Sequence, residues 1–91
     1  MSSSFWGLDV QQVRNLSSQL NQKAGEIENA LQSLTSTLGS TQWEGPDAKT
    51  FRSDWEGQHT SALRQVIQAL RDAANKAQQN ANAQEQTSNA S

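Results

Sequence analysis

The stretch GSTQWEGPDAKTFRSDWEG, residues 39–57, holds the chain's single proline and the tripeptide Trp-Glu-Gly twice. Whether it reads as a break or as continuous helix decides the fold. Gly39 follows the last apolar residue of a long periodic segment, which suits the left-handed C′ position closing a helix. Pro46 suits a first helical turn, where its fixed φ is already correct and its missing N–H costs nothing. Asp47 favours the positive end of a helix dipole. Residues 39–45 therefore read as a connection, with a helix restarting at Pro46. The two tripeptides then differ. Trp43-Glu44-Gly45 belongs to the connection, and Gly45 caps the second helix. Trp55-Glu56-Gly57 falls inside a helical period, four residues after Phe51 and four before His59. Gly57 gains nothing from a turn there and costs about 1 kcal/mol relative to Ala. It is either a tolerated surface glycine or a point of close approach by another helix.

Working outward, the upstream segment opens with a helix-start signature. Asp9 is an N-cap, Gln12 can complete a capping box, and Leu8 can staple onto Val13. Val13, Leu16, Leu20, Ala24, Ile27, Leu31, Leu34 and Leu38 recur at steps of three and four, one narrow apolar stripe on a helix over about 9–38. Downstream, Ala48, Phe51, Trp55, His59, Ala62, Leu63, Val66, Ile67, Leu70, Ala73, Ala74 and Ala77 mark a second helix over about 46–78. Residues 79–91 contain no large apolar side chain and read as a mobile tail or frayed helix end. Ahead of the first cap, Phe5 and Trp6 sit in a Ser-rich arm. They have no place in either stripe, and either fold back on a partner's second helix or anchor another protein.

The totals limit what such helices can do alone. The chain has 91 residues, enough for one domain, of which 33% are hydrophobic. The mean hydropathy is −0.83, so a monomer has little apolar surface to bury. At about 1.5 Å per residue each helix spans roughly 45 Å, and the short connection makes them antiparallel neighbours. A two-helix hairpin leaves one flank of each stripe wet. The expected fold is therefore all-α, a hairpin pairing with a second hairpin into a four-helix-bundle dimer. The interface expected is Leu16, Leu20, Ile27, Leu31, Leu34, Phe51, Trp55, Leu63, Val66 and Leu70.

Chemistry is poorly supplied. The chain has no Cys and one His, His59, which fits packing or an interface better than a zinc site or catalysis. The glycines are isolated, so no phosphate loop is present. Glu26, Glu28, Asp54 and Glu56 fit solvated helix faces, and Arg52 with Glu56 makes an i,i+4 pair worth a few tenths of a kcal/mol. No catalytic residue, cofactor or metal is expected. A net charge of −2 with scattered basic residues argues against nucleic acid. No apolar run is long enough to span a bilayer, and no face has the Lys/Arg enrichment of an interfacial helix. The start, MSSSFWGLDV, lacks the basic and apolar regions of a general secretory signal.

Two helices of this length around a central Trp-x-Gly resemble the WXG-hundred family, small early-secreted-antigen-type proteins of type VII (ESX) secretion in actinobacteria and some Firmicutes. WEGPDAKTFRSDW, Trp43 to Trp55, resembles the family's turn and second-helix start, including Ala48, Phe51 and Trp55; the resemblance spans residues 8 to about 80. It implies a non-enzymatic hairpin, homo- or heterodimeric with another WXG protein. Such a dimer is exported folded, from a cytoplasmic pool and without a cleaved signal, through the type VII secretion ATPase. In the family's view the Trp-x-Gly turn of one partner, here Trp43 and Gly45, lies beside a Tyr-x-x-x-Asp/Glu tail of the other. This chain has no Tyr, so the tail would come from the partner. The alternative is a resident helical adaptor or chaperone for larger type VII effectors.

Overall fold

The computed structural model describes the backbone of residues 9–90 and the side chains of residues 9–87. Phe5, Trp6 and the Leu8 staple lie outside the described residues. Helix α1 runs Val10–Ser40, α2 Pro46–Asp54 and α3 Thr60–Ala90, with a single π-helical turn, Trp55–His59, joining α2 to α3. The described residues form a rod of 68 × 17 × 16 Å. Its two long limbs are antiparallel: Ser17 meets Ala74, Glu28 meets Arg71, and Thr35 meets Trp55.

The buried seam follows a seven-residue repeat that the apolar stripes only partly disclose. On α1 it is Ser17, Ala24 and Leu31; on α3 it is Ile67, Ala74 and Ala81. A strict seven-residue repeat is the geometry of a left-handed coiled seam. Small side chains at Ser17, Ala24, Ala74 and Ala81 bring the backbones close. Ser17 Oγ consequently donates across the seam to the Ala74 carbonyl at 2.8 Å. Ile27, Trp55, Leu63 and Leu70 pack against the Ala24–Leu31–Ile67 core as half-buried neighbours. Leu16, Leu34, Phe51 and Val66 stay exposed.

The second limb is in register only because of the π-turn. The Thr60 N–H bonds to the Trp55 carbonyl five residues back, which inserts one residue into the helical count. Ala48 and Trp55 on one side of it thus share a face with Thr60, Leu63 and Ile67 on the other. An uninterrupted helix would carry the stripe through His59 and Ala62, as the spacing suggests. Both are exposed instead. Gly57 lies in this turn, and a Cβ built on it meets nothing within 4 Å, so no helix approaches it closely. Deleting Gly57 should convert the π-turn to regular helix without disturbing the seam. We expect far-UV circular dichroism to show unchanged helicity and a stability equal to or up to about 1 kcal/mol above the full chain. Deleting Gln65 should instead rotate the rest of α3 by about 100° and unfold the protein. Equal losses for both deletions would rule out this account of the register.

One boundary is as expected and two differ. Asp9 does cap α1, its Oδ1 accepting from the Gln12 backbone N–H at 3.1 Å. At the other end, Gly39 is not the closing residue. The helix continues through Ser40 to an extended Thr41 cap, and the only positive φ among the described residues is at Gly45. The hydroxyls of Ser40 and Thr41 both donate to the Thr37 carbonyl, so a left-handed glycine is not needed. The second limb also does not stop near residue 78: α3 reaches Ala90. Ala81 extends the small-residue seam, and Glu85 pairs with Arg14 at 2.5 Å. Small side chains are enough to continue the seam beyond the last large apolar residue.

The hairpin has two unlike faces. At about 100° per residue, Leu16, Ile27 and Leu34 project to one side of the α1 seam, as do Val66, Ala73 and Ala77 on α3. Antiparallel helices turn in opposite senses, so both sets lie on the same face of the hairpin. The opposite face carries the ion pairs Arg14–Glu85 and Arg71–Glu28, the latter at 2.7 Å. Both pairs are partly exposed, and each contributes at most about 1 kcal/mol.

Candidate interaction site at the interhelical connection

Residues 41–45 connect α1 to α2 at one end of the rod. Gly45 sets the path. Its φ of 112° and ψ of 178° lie in a region essentially restricted to glycine. A Cβ there would meet no atom within 4 Å, so the requirement comes from the backbone rather than from crowding. Pro46 follows at the first helical position, and the Lys49 N–H bonds to the Gly45 carbonyl at 3.1 Å. Ala48 is buried directly beneath the connection.

Arg52 holds the connection from inside. Its guanidinium donates to the carbonyls of Trp43 at 2.7 Å, Thr41 at 2.9 Å and Leu38 at 3.2 Å. Leu38 is in the last turn of α1, where its carbonyl also accepts a long bond from the Thr41 N–H at 3.3 Å. A cation there also complements the negative end of the helix dipole. The planar fork of Arg can address three acceptors at once, which a Lys ammonium does less well. The expected Arg52–Glu56 surface pair is therefore replaced by a cross-connection clasp. Sequence spacing pointed along the helix, whereas the acceptors arrive from the other limb. An Arg one turn into a helix that follows a short, Gly-ended connection is the signal that could have found it.

Trp43, so held, lies against Phe51 with ring centroids 5.3 Å apart and planes tilted by 56°. Trp43 is 39% exposed and Phe51 45% exposed. Trp55 is half-buried rather than enclosed, and its Nε1 donates to Thr35 Oγ1 at 2.9 Å. The lone His59 is exposed and tilts against Trp55 at 6.2 Å. Leu34, Thr37, Leu38, Thr41, Trp43, Phe51 and Trp55 line an open apolar groove of ≈ 280 Å³. The groove continues the apolar face of the hairpin at its connection end.

The expected interface residues fall into two sets. Leu31 is buried in the seam, and Leu20, Ile27, Trp55, Leu63 and Leu70 are half-buried. Leu16, Leu34, Phe51 and Val66 are exposed, and with Trp43 they form the accessible apolar surface. Of the acidic residues, Glu28 pairs with Arg71 and Glu26 with Lys23, while Asp54 and Glu56 face solvent. Among the described residues, no group of three His, Cys, Asp or Glu is placed to hold a metal, and no helix is long and apolar enough to cross a membrane.

A thin antiparallel helical hairpin with an exposed Trp at a Gly-ended connection is the class of protein so defined. The family described as "Proteins of 100 residues with WXG" (WXG100) matches residues 8–89, and the chain belongs to it. The family is one of small, non-enzymatic helical proteins associated with type VII secretion. No curated protein and no solved structure matches the chain.

Proposed function

We propose that the protein is exported as a folded dimer by a type VII secretion system, with Trp43 and Gly45 supplying one half of a composite export element. The observation that carries this reading is the Trp43 ring. It is exposed at one end of the rod and rests on Phe51, while its backbone carbonyl is held by Arg52 and its connection follows the glycine-only path at Gly45. A Trp kept in a defined, accessible pose suits recognition better than it suits the protein's own core. Dimerisation is supported by the one-sided distribution of Leu16, Leu34, Phe51 and Val66 beside an opposite face of ion pairs. That apolar face gains by covering itself with a like face, whether from a second copy or from another WXG protein. The chain has no Tyr, so a Tyr-x-x-x-Asp/Glu tail would come only from the second kind of partner, another WXG protein.

Trp43→Ala should leave helicity intact and reduce export by at least tenfold, on the order of one lost hot-spot contact of about 2 kcal/mol. The test is secretion from a type VII-competent host, with and without the adjacent gene product. Undiminished export of the folded variant would remove Trp43 from the export element. Retention of the unaltered protein inside intact cells under all these conditions would favour a resident adaptor.

A further inference from the structure

The groove at the connection has a chemically matched occupant within the chain's own sequence. We propose that Phe5 and Trp6 of one protomer seat in the groove formed by Leu34, Leu38, Trp43, Phe51 and Trp55 of a second copy. The inference rests on the dimer proposed above in the form made by two copies of this chain.

Reach decides between the chain's own groove and that of a partner. The groove spans the last turns of α1, from Leu34 to Thr41. Asp9, where the described chain begins, is at the opposite end of that helix. The nearest groove residue, Leu34, is about 38 Å away at about 1.5 Å per residue. Trp6 precedes Asp9 by three residues, a reach of about 10 Å, so the arm cannot enter its own groove.

In a second copy the distance closes. Leu16 and Leu34, the exposed large hydrophobic side chains on α1, are placed symmetrically about position 25. A twofold axis crossing α1 at that level brings the two leucines of one copy opposite those of the other. It also brings Asp9 of one copy level with Thr41 of its partner, at the mouth of the groove. Packing favours this antiparallel arrangement. The connection end of the apolar face carries Leu34, Trp43 and Phe51, and the other end carries Leu16 with Ala73 and Ala77, so the leucines meet each other while the bulkier aromatic rings face small side chains. The groove's aliphatic and aromatic lining would then receive two aromatic rings, with edge-to-face contacts available to Trp43, Phe51 and Trp55.

The absence of cysteine allows a clean test. Full-length Ser4→Cys protein is mixed with a size-tagged Thr37→Cys protein, the two are refolded together, and the mixture is oxidised. The mixed disulfide dimer should be the main covalent product. A dominant Ser4→Cys self-disulfide would mean that the arms lie side by side, and would overturn the proposal. In a separate experiment, Phe5→Ala/Trp6→Ala lies ahead of α1 and should keep full helicity while weakening dimerisation tenfold or more, about 1.4 kcal/mol or above. An unchanged dissociation constant would overturn the proposal equally. A monomer at all concentrations would sink the dimer and the arm together, whereas a dimer without the mixed product sinks only the arm.

Discussion

Leu31→Asp should leave the chain largely unfolded, whereas Leu34→Asp, less than one turn further on, should leave a folded hairpin that no longer dimerises. Leu31 is 2% exposed and Leu34 is 54% exposed. A carboxylate at Leu31 would lie in the seam with Ala24 and Ile67, where neither neighbour can donate a hydrogen bond. Burying it costs several kcal/mol beyond the roughly 2–5 kcal/mol lost with the leucine side chain itself. A domain of this size has a total stability of about 5–10 kcal/mol, so one such substitution consumes most of it. At Leu34 the carboxylate keeps its water in the free hairpin and meets desolvation only on association. Far-UV circular dichroism with urea titration reports the first effect, and light scattering at micromolar concentration reports the second. Loss of helix in both variants would mean that folding and dimerisation are a single event. Retention of the dimer in Leu34→Asp would place the interface elsewhere.

The same pair of leucines shows what periodicity could and could not disclose. Steps of three and four located both limbs and the antiparallel hairpin, because any amphipathic helix must mark its inner side with apolar residues. They did not say which apolar residues are innermost. The seam is occupied by Ser17, Ala24, Ala74 and Ala81 as much as by Leu31 and Ile67. Close approach selects small side chains, and a search for large ones passes over Ser17 and ends the helix before Ala81. The register of the second limb was hidden for a different reason. An inserted residue in a π-turn leaves no compositional mark, so His59 and Ala62 read as inward although both face solvent. The break before α2 was legible because Gly45-Pro46 is strong punctuation. The clasp from Arg52 was not, since its partners are backbone carbonyls from residues 38–43, and a carbonyl has no residue type to recognise.

That clasp leads to the second large effect. Arg52→Ala removes three hydrogen bonds from a cation to carbonyls. Each such bond contributes about 1.5–3 kcal/mol when sheltered. The Trp43 and Thr41 acceptors are at exposed sites, where water takes over much of the loss, and only the Leu38 bond is part-buried. We therefore expect a net destabilisation of about 2 kcal/mol, with Arg52→Lys recovering less than half because one ammonium cannot span three carbonyls. Gly45→Ala should cost a comparable 1–3 kcal/mol, through backbone strain at φ 112° rather than through lost bonds. Both substitutions loosen the same five-residue connection, so their combined cost should fall short of the sum. In a Trp6→Phe/Trp55→Phe background the emission of Trp43 alone reports its pose. Arg52→Ala should shift that emission to the red and lower its anisotropy under conditions where the helices remain folded. If Arg52→Ala left both stability and Trp43 emission unchanged, the guanidinium would be an ornament of the surface, and the pose of Trp43 would have to come from its contact with Phe51 alone.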